Sequence, residues 1–337
     1  MKRIVLRADG NNKIGLGHIY RLAALGEMLK NDFECRFAID QPAPFIIEMI
    51  QKTGIDLITF NSGLQSKVPD QISPGEEIPF DLGSYLKGDE IVVMDGYLFG
   101  KEYQLSSRKA ASAVVCIDDY AKDEYFADLV LNHAPGLNIS ELKVQSYTTI
   151  KTGLDYAMIR PVFFSPFSCV EERTKTVFIC LGGADMKGYT LQILKYLLSG
   201  GDFSKIHILC SPAFSKELLE QLIQKALENT SVNLHFNLNA DELVCLIDSC
   251  TYAFVSASTV LLEVWSRGLK CYTGYYTENQ KNIYKGFVDS KMAIGLGHFG
   301  ELTSDRFNMV LEKTTGPIVN KVPLQSKDNL VKAFAQL

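Results

Sequence analysis

Arg7-Ala8-Asp9-Gly10-Asn11-Asn12-Lys13-Ile14-Gly15-Leu16-Gly17-His18-Ile19-Tyr20-Arg21 is the stretch on which the fold turns. The apolar run Ile4-Val5-Leu6 precedes it, and Ile19, Leu22, Ala23, Gly26 and Leu29 follow at a spacing that puts them on one helix face. The pattern reads strand, loop, helix. Gly15 and Gly17 let the backbone approach a ligand closely, and His18 stands where the helix begins, so an anion and a titratable group can share one small space. Such turns are common in α/β proteins, and the spacing alone equally admits a histidine that only hydrogen-bonds locally. A dinucleotide fingerprint fits poorly. Asp40 ends the next strand about where a ribose-binding acid belongs, but Gly15 lies well past the strand end and Tyr20 fills a position that should be small.

A chain of 337 residues exceeds one ordinary hydrophobic core, so two domains are expected. Apolar residues at 47% and charged residues at 22% are ordinary globular values. A net charge of −5 lacks the basic face that nucleic acid or an anionic membrane would need, so any phosphate is bound locally. The eight cysteines are scattered, with no C-x-x-C pair and no histidine at ligand spacing. They read as small apolar residues of a reducing compartment, and neither a metal site nor a cofactor is expected. No signal peptide and no run of membrane-spanning length is seen, which makes the cytoplasm the expected location.

Further along, 35–39 and 55–60 read as strands around a helix at 44–52, a βαβαβ opening that implies a parallel sheet. Residues 61–88 read as an irregular insertion. Ile91 to Met94, Ala113 to Ile117 and Leu129 to Leu131 read as buried strands ending at Asp95-Gly96-Tyr97, Asp118-Asp119 and Asn132-His133. Polar residues at the carboxyl ends of adjacent parallel strands line the crevice where open α/β sheets bind ligands, although each alone is also at home in an ordinary turn. After a linker at 161–174 the pattern restarts. Thr176 to Leu181 is a strand, Gly182-Gly183-Ala184-Asp185 a loop and Tyr189 to Leu198 a helix. Strands at 206–210, 232–236, 252–255 and 270–273 follow, alternating with helices at 215–228, 241–249 and 258–268, and the last forty residues read as helices closing the second domain.

Arg7-x-Asp9 ahead of a long loop that closes in Gly15-x-Gly17-His18 and Arg21 resembles the opening of the UDP-sugar hydrolases of pseudaminic acid biosynthesis (PseG family), relatives of the MurG glycosyltransferases. That resemblance expects Asp-x-Tyr, Asp-Asp and Leu-Asn at the next strand ends, and Asp95-x-Tyr97, Asp118-Asp119 and Leu131-Asn132 supply them. Gly153 to Arg160 matches as well. The second informative stretch runs from Ala253 to Glu263. Ser256, Ser258 and Thr259 between a strand and a helix leave backbone N–H groups and a helix dipole for a diphosphate, and Glu263, one turn further in, can accept from ribose hydroxyls. An ordinary capped helix would look the same. Thr277-Glu278-Asn279-Gln280 after the next strand completes the nucleotide-sugar order of the MurG-like fold. Leu22, Leu243 and the length of the 61–88 insertion depart from the family.

The resemblance implies an α/β chain of the GT-B type, two Rossmann-like domains facing across a cleft. An N-terminal domain at 1–160 would be catalytic and sugar-facing, and a C-terminal domain at 175–337 would hold UDP. It implies His18 as the base, with Asp9, Gly17, Tyr97 and Asn132 on the sugar side. Gly183, Ser258, Thr259, Glu263, Asn279 and Gln280 fall on the UDP side, with uracil near Phe236 to Leu243. The helix N-terminus should keep the His18 imidazole neutral and usable as a base. The activity implied is hydrolysis of UDP-2,4-diacetamido-2,4,6-trideoxy-β-L-altrose, by a monomer with no nucleic-acid or membrane partner. A glycosyltransferase using the same donor, a UDP-sugar-binding protein without turnover and, more distantly, a dinucleotide-dependent oxidoreductase are the alternatives.

Overall fold

The computed structural model describes residues 1–10, 16–61, 81–121, 124–166, 175–183, 185–312 and 325–337, so Asn11 to Gly15 and residues 62–80 of the 61–88 insertion lie outside the described residues. Two units form, one of Met1–Pro161 with Leu324–Leu337, the other of Val162–Pro323.

In the first unit the order is β1 (Arg3–Ala8), α1 (Gly17–Leu29), β2 (Glu34–Asp40), α2 (Pro44–Thr53) and β3 (Asp56–Phe60). Then come β4 (Glu90–Asp95), α3 (Lys101–Ala110), β5 (Ala113–Ile117), β6 (Glu124–Tyr125), β7 (Leu129–Asn132), β8 (Lys143–Val144) and β9 (Thr149–Thr152). Strands β1, β4, β5 and β7 are runs of buried residues, as strands covered on both faces must be. They pair in parallel within a seven-stranded sheet of order β3-β2-β1-β4-β5-β7-β9, while β6 and β8 pair separately. Gly26 brings α1 against this sheet: a Cβ there would stand 2.6 Å from Leu6 Cδ1 and 2.5 Å from Ile55 Cδ1. The chain runs one way from β1 through β2 to β3, then returns to β4 on the other side of β1. The carboxyl ends of β1 and β4 therefore flank a topological switch point, with Ala8 in register with Asp95.

The second unit repeats the scheme with β10 (Thr176–Cys180), α4 (Tyr189–Gly200), β11 (Lys205–Cys210), α5 (Lys216–Glu228), β12 (Val232–Phe236), α6 (Ala240–Asp248), β13 (Tyr252–Ser256), α7 (Thr259–Ser266), β14 (Lys270–Tyr275), α8 (Lys281–Asp289), β15 (Ile294–His298) and α9 (Ser304–Glu312). The six strands are parallel in the order β12-β11-β10-β13-β14-β15, and the switch point falls between β10 and β13. Each unit is thus an open α/β sheet of Rossmann-like topology.

Both expected borders of the second domain move. Arg267, fully buried, donates to the carbonyls of Phe163 (3.3 Å), Ser165 (2.6 Å) and Pro166 (3.3 Å), which ties the start of the expected linker to the second unit. At the other end, α10 (Ser326–Ala335) belongs to the first unit rather than closing the second. Its Phe334 packs edge-on against Phe33 at 6.2 Å, Asn329 donates to the Asp155 carbonyl at 3.1 Å, and Lys2 reaches the Ala335 carbonyl at 2.8 Å. Among the described residues no helix is long and apolar enough to cross a membrane. Of the seven described cysteines five are buried, Cys180 is half-buried and Cys245 is exposed.

Candidate active site

His18 sits in the first turn of α1, and Arg21 lies three residues on, on the same helix face. Both reach Asp95, the last residue of β4. The His18 ring meets Asp95 Oδ1 through Nδ1 at 2.6 Å, and Arg21 donates Nε to Oδ2 and Nη2 to Oδ1, both at 2.7 Å. Arg21 also donates to both oxygens of Asp119, just past β5, at 2.5 and 3.0 Å. Burial pushes both carboxyls up, but the Arg21 guanidinium outweighs it, and Asp95 is held well below the usual carboxylate range with His18 assisting. An ionised Asp95 accepts, so Nδ1 of His18 carries a proton and Nε2 is the nitrogen left to face away from the carboxylate.

Gly96, at φ +153°, turns the chain out of β4 between Asp95 and Tyr97. Tyr97 stands edge to face with the His18 ring, centroids 4.6 Å apart, and its hydroxyl donates to Asp119 Oδ2 at 3.0 Å. Burial and the Asp119 carboxylate raise the Tyr97 phenol far above its ordinary range, so it stays protonated. Tyr97 as a whole residue is 42% exposed. A Cβ on Gly17 would meet nothing within 4 Å among the described residues.

Two expected sugar-side residues, Asp9 and Asn132, make polar contacts within the first unit. Asp9 pairs with the buried Arg7 and accepts from the Asp40 backbone N–H at 3.1 Å. Arg7 in turn bonds Asp81 at 2.8 Å and Tyr103 at 3.3 Å, and its guanidinium lies 4.8 Å over the Phe60 ring. Asn132 donates to Asp118 at 2.7 Å and accepts from Ala134 N–H at 2.8 Å, fixing the turn after β7. His133 lies beside the His18 cluster, fully buried. Burial pushes it down to about 3 with Arg21 helping, so the ring is neutral, and its Nε2 has no hydrogen-bond partner among the described residues.

In the second unit the residues expected to hold UDP gather at the carboxyl ends of β10, β13 and β14, which are neighbours in the sheet. Gly182, at φ +115°, leaves no room for a side chain, because a Cβ would stand 2.7 Å from the Tyr276 hydroxyl. That hydroxyl donates to the Leu181 carbonyl at 3.0 Å, and the Gln280 side-chain oxygen accepts from the Tyr276 N–H at 3.0 Å. The Gly182-Gly183 loop, Tyr276 and Gln280 are thereby linked. Ser256 and Ser258 share a hydroxyl contact at 3.1 Å, Ser258 and Thr259 are partly open, and Glu263 is buried one turn into α7.

The helix starts differ in one respect. Asp185 accepts from Tyr189 and Thr190 N–H at 2.9 and 2.7 Å and so fills the N-terminus of α4 with its own carboxylate, and Asn239 caps α6. Ser258 makes no side-chain cap bond to α7. The first N–H groups of α7, with the positive end of its dipole, are what this switch point offers to an anion. Asn279 is half-buried beside Gln280, and Phe236, at the end of β12, is 46% exposed.

Sequence reasoning left Arg21, Asp95 and Asp119 out of the site, although each stands in a quoted motif. Strand-end acids look alike until the sheet order makes β4 and β5 neighbours. One oxygen or nitrogen from each of His18, Asp95 and Asp119 lies within 4.8 Å of the others, a spacing that a cation could suit. The positive charge there is Arg21, which occupies the space between the two carboxylates.

No protein-family model matches the chain. In sequence it is similar to the UDP-2,4-diacetamido-2,4,6-trideoxy-β-L-altropyranose hydrolase of Campylobacter jejuni, at 21% identity over 83% of this chain and 94% of that protein. It is also similar to the spore coat polysaccharide biosynthesis protein SpsG of Bacillus subtilis, at 22% over 88% of this chain and 84% of that protein. An uncharacterised protein of Methanocaldococcus jannaschii is 22% identical over 85% of this chain, which spans only 58% of that relative's length. Among solved structures, MurG of Acinetobacter baumannii matches 99% of this chain and 94% of its own at 14% identity and a TM-score of 0.58. A putative UDP-N-acetylglucosamine 2-epimerase of Listeria monocytogenes matches 99% of this chain and 96% of its own at 9% identity and a TM-score of 0.62. The resemblance to PseG and its relatives therefore holds as distant sequence similarity, and the fold is that of the MurG-like GT-B proteins.

Proposed function

We propose that the chain hydrolyses a UDP-sugar to UDP and free sugar, the sugar being 2,4-diacetamido-2,4,6-trideoxy-β-L-altropyranose as in the Campylobacter relative. The observation that carries this is the His18–Asp95 pair. A buried, ionised carboxylate holds Nδ1–H, and Nε2 is left as a proton acceptor at the end of an open sheet. In the reaction, Nε2 takes a proton from water as the water oxygen bonds to the anomeric carbon. The bond from that carbon to the β-phosphate oxygen breaks, and its electron pair leaves on UDP. A phosphate ester with a second ionisation near neutrality needs no proton to depart, so dipoles suffice on that side. The N-terminus of α7 with Ser258, Thr259, Asn279 and Gln280 would receive the diphosphate, Gly183 would let it approach, and Glu263 would accept from the ribose.

A glycosyltransferase is the second possibility, favoured by the fold shared with MurG. Incubation with a panel of UDP-sugars in EDTA, without acceptor, separates the two. UDP should appear at a rate undiminished by the chelator, because Arg21 and backbone dipoles meet the charges for which a metal is otherwise used. UDP release only on addition of an acceptor, or its loss in EDTA with recovery on Mg²⁺, would defeat the hydrolase assignment as stated. The UDP half is testable alone. Glu263→Ala should weaken UDP binding about 10- to 100-fold in calorimetry, the scale of a lost charged hydrogen bond, with the melting curve little changed. An unaltered affinity would remove Glu263 from the ribose.

A further inference from the structure

Asp95 and Asp119 are buried carboxylates at the ends of neighbouring strands, and anions so placed would each tend to take up a proton unless they share a cation. Arg21 is that cation, with two bonds to each. Each carboxylate then passes to one further side chain, Asp95 to His18 Nδ1 at 2.6 Å and Asp119 to the Tyr97 hydroxyl at 3.0 Å. The two arms close on each other through the edge-to-face contact of the His18 and Tyr97 rings. A guanidinium does not titrate in the working range, so one fixed positive charge is divided between two arms.

We infer that Arg21 is a positioning residue whose division of charge between Asp95 and Asp119 sets the pH above which His18 accepts a proton. This rests on His18 being the base of the proposed reaction. The more of the Arg21 charge Asp95 commands, the less it gains from a second cation on His18. If Arg21 is drawn away, Asp95 is neutralised instead by keeping the imidazole protonated. The charged and titratable groups facing His18 are Asp95 from β4, Arg21 from α1, Tyr97 after β4 and, at longer range, Asp119 after β5. His133, after β7, faces the same cluster and is neutral.

The test is the titration of the His18 imidazole followed by NMR in the full-length protein, its resonance identified by its loss in His18→Gln. Arg21→Lys keeps a charge but loses the fork that spans both carboxylates, and should raise the midpoint by roughly one unit. Asp119→Asn keeps the shape, frees Arg21 for Asp95 and removes an anion, and should lower the midpoint by a similar amount. Shifts of opposite sign are not produced by loosening the fold, and the acid limb of kcat/KM should follow each midpoint. Midpoints that stay with the wild type, or move in the same direction, overturn the inference. Should Arg21→Lys fail to fold, an unmoved or raised midpoint in Asp119→Asn overturns it alone. The premise is read separately. Full turnover by His18→Ala would remove His18 as the base while leaving the midpoint shifts standing, and an inactive His18→Ala with unmoved midpoints would sink only the role of Arg21.

Discussion

Replacing His18 with alanine should lower kcat by about 10²- to 10⁴-fold, the usual contribution of a general base, and leave the affinity for UDP close to that of the wild type. The structure makes this variant informative because the charge balance survives it. Asp95 loses one partner but keeps both hydrogen bonds from Arg21, so no buried carboxylate is left uncompensated and the first unit should remain folded. The residues proposed to bind UDP all belong to the second unit, which contains none of the His18 cluster. Rate and affinity should therefore part company: kinetics would record the loss, and calorimetry with UDP would not. A His18→Ala protein that turns over at the wild-type rate would show that the water is activated by another group, or that it attacks without a base.

Much of this was legible in the sequence because the signals are local. The apolar runs of β1, β4, β5 and β10 are long enough to name strands, and the Gly-Gly loop after β10 announced the second α/β repeat. The elements that escaped notice have weak local signals. β9 is Thr149-Ile150-Lys151-Thr152, a short and largely polar edge strand, and β15 carries Gly295 and Gly297. The last forty residues read as helices closing the second domain, but α10 joins the first, because an amphipathic pattern says that one face is buried and not against which unit. The site shows the same division. His18 and the Ser258-Thr259 loop stand out by residue type and spacing, whereas the role of Arg21 depends on three elements far apart in the chain meeting at one guanidinium. The sequence points to the helix dipole as the influence on His18, and the fold adds the Asp95 carboxylate, 77 residues away, bonded to its Nδ1. The resemblance puts Asp9 on the sugar side, and in the fold its carboxylate also pairs with Arg7, two residues back.

The sharpest consequence of the proposed reaction concerns which bond breaks. Attack of water on phosphorus would put new charge on the phosphoryl oxygens and would ordinarily call for a metal ion or an Arg/Lys clamp. Ser256 to Thr259 contains no basic residue, and Lys281, which follows Gln280, is paired with Glu278 at 2.6 Å. What that loop offers is dipoles, and dipoles suit a UDP that is leaving rather than a phosphorus that is being attacked. Water activated by His18 is expected to attack the anomeric carbon, with inversion. In H₂¹⁸O the new oxygen should enter the sugar hydroxyl and leave the UDP unlabelled. The free sugar exchanges that oxygen with solvent through its open-chain form, so the UDP is the product to weigh. Mass spectrometry that finds the β-phosphate unlabelled after complete turnover is the expected result. One ¹⁸O in that phosphate would place the attack at phosphorus and take from His18 the role its pairing with Asp95 suggests.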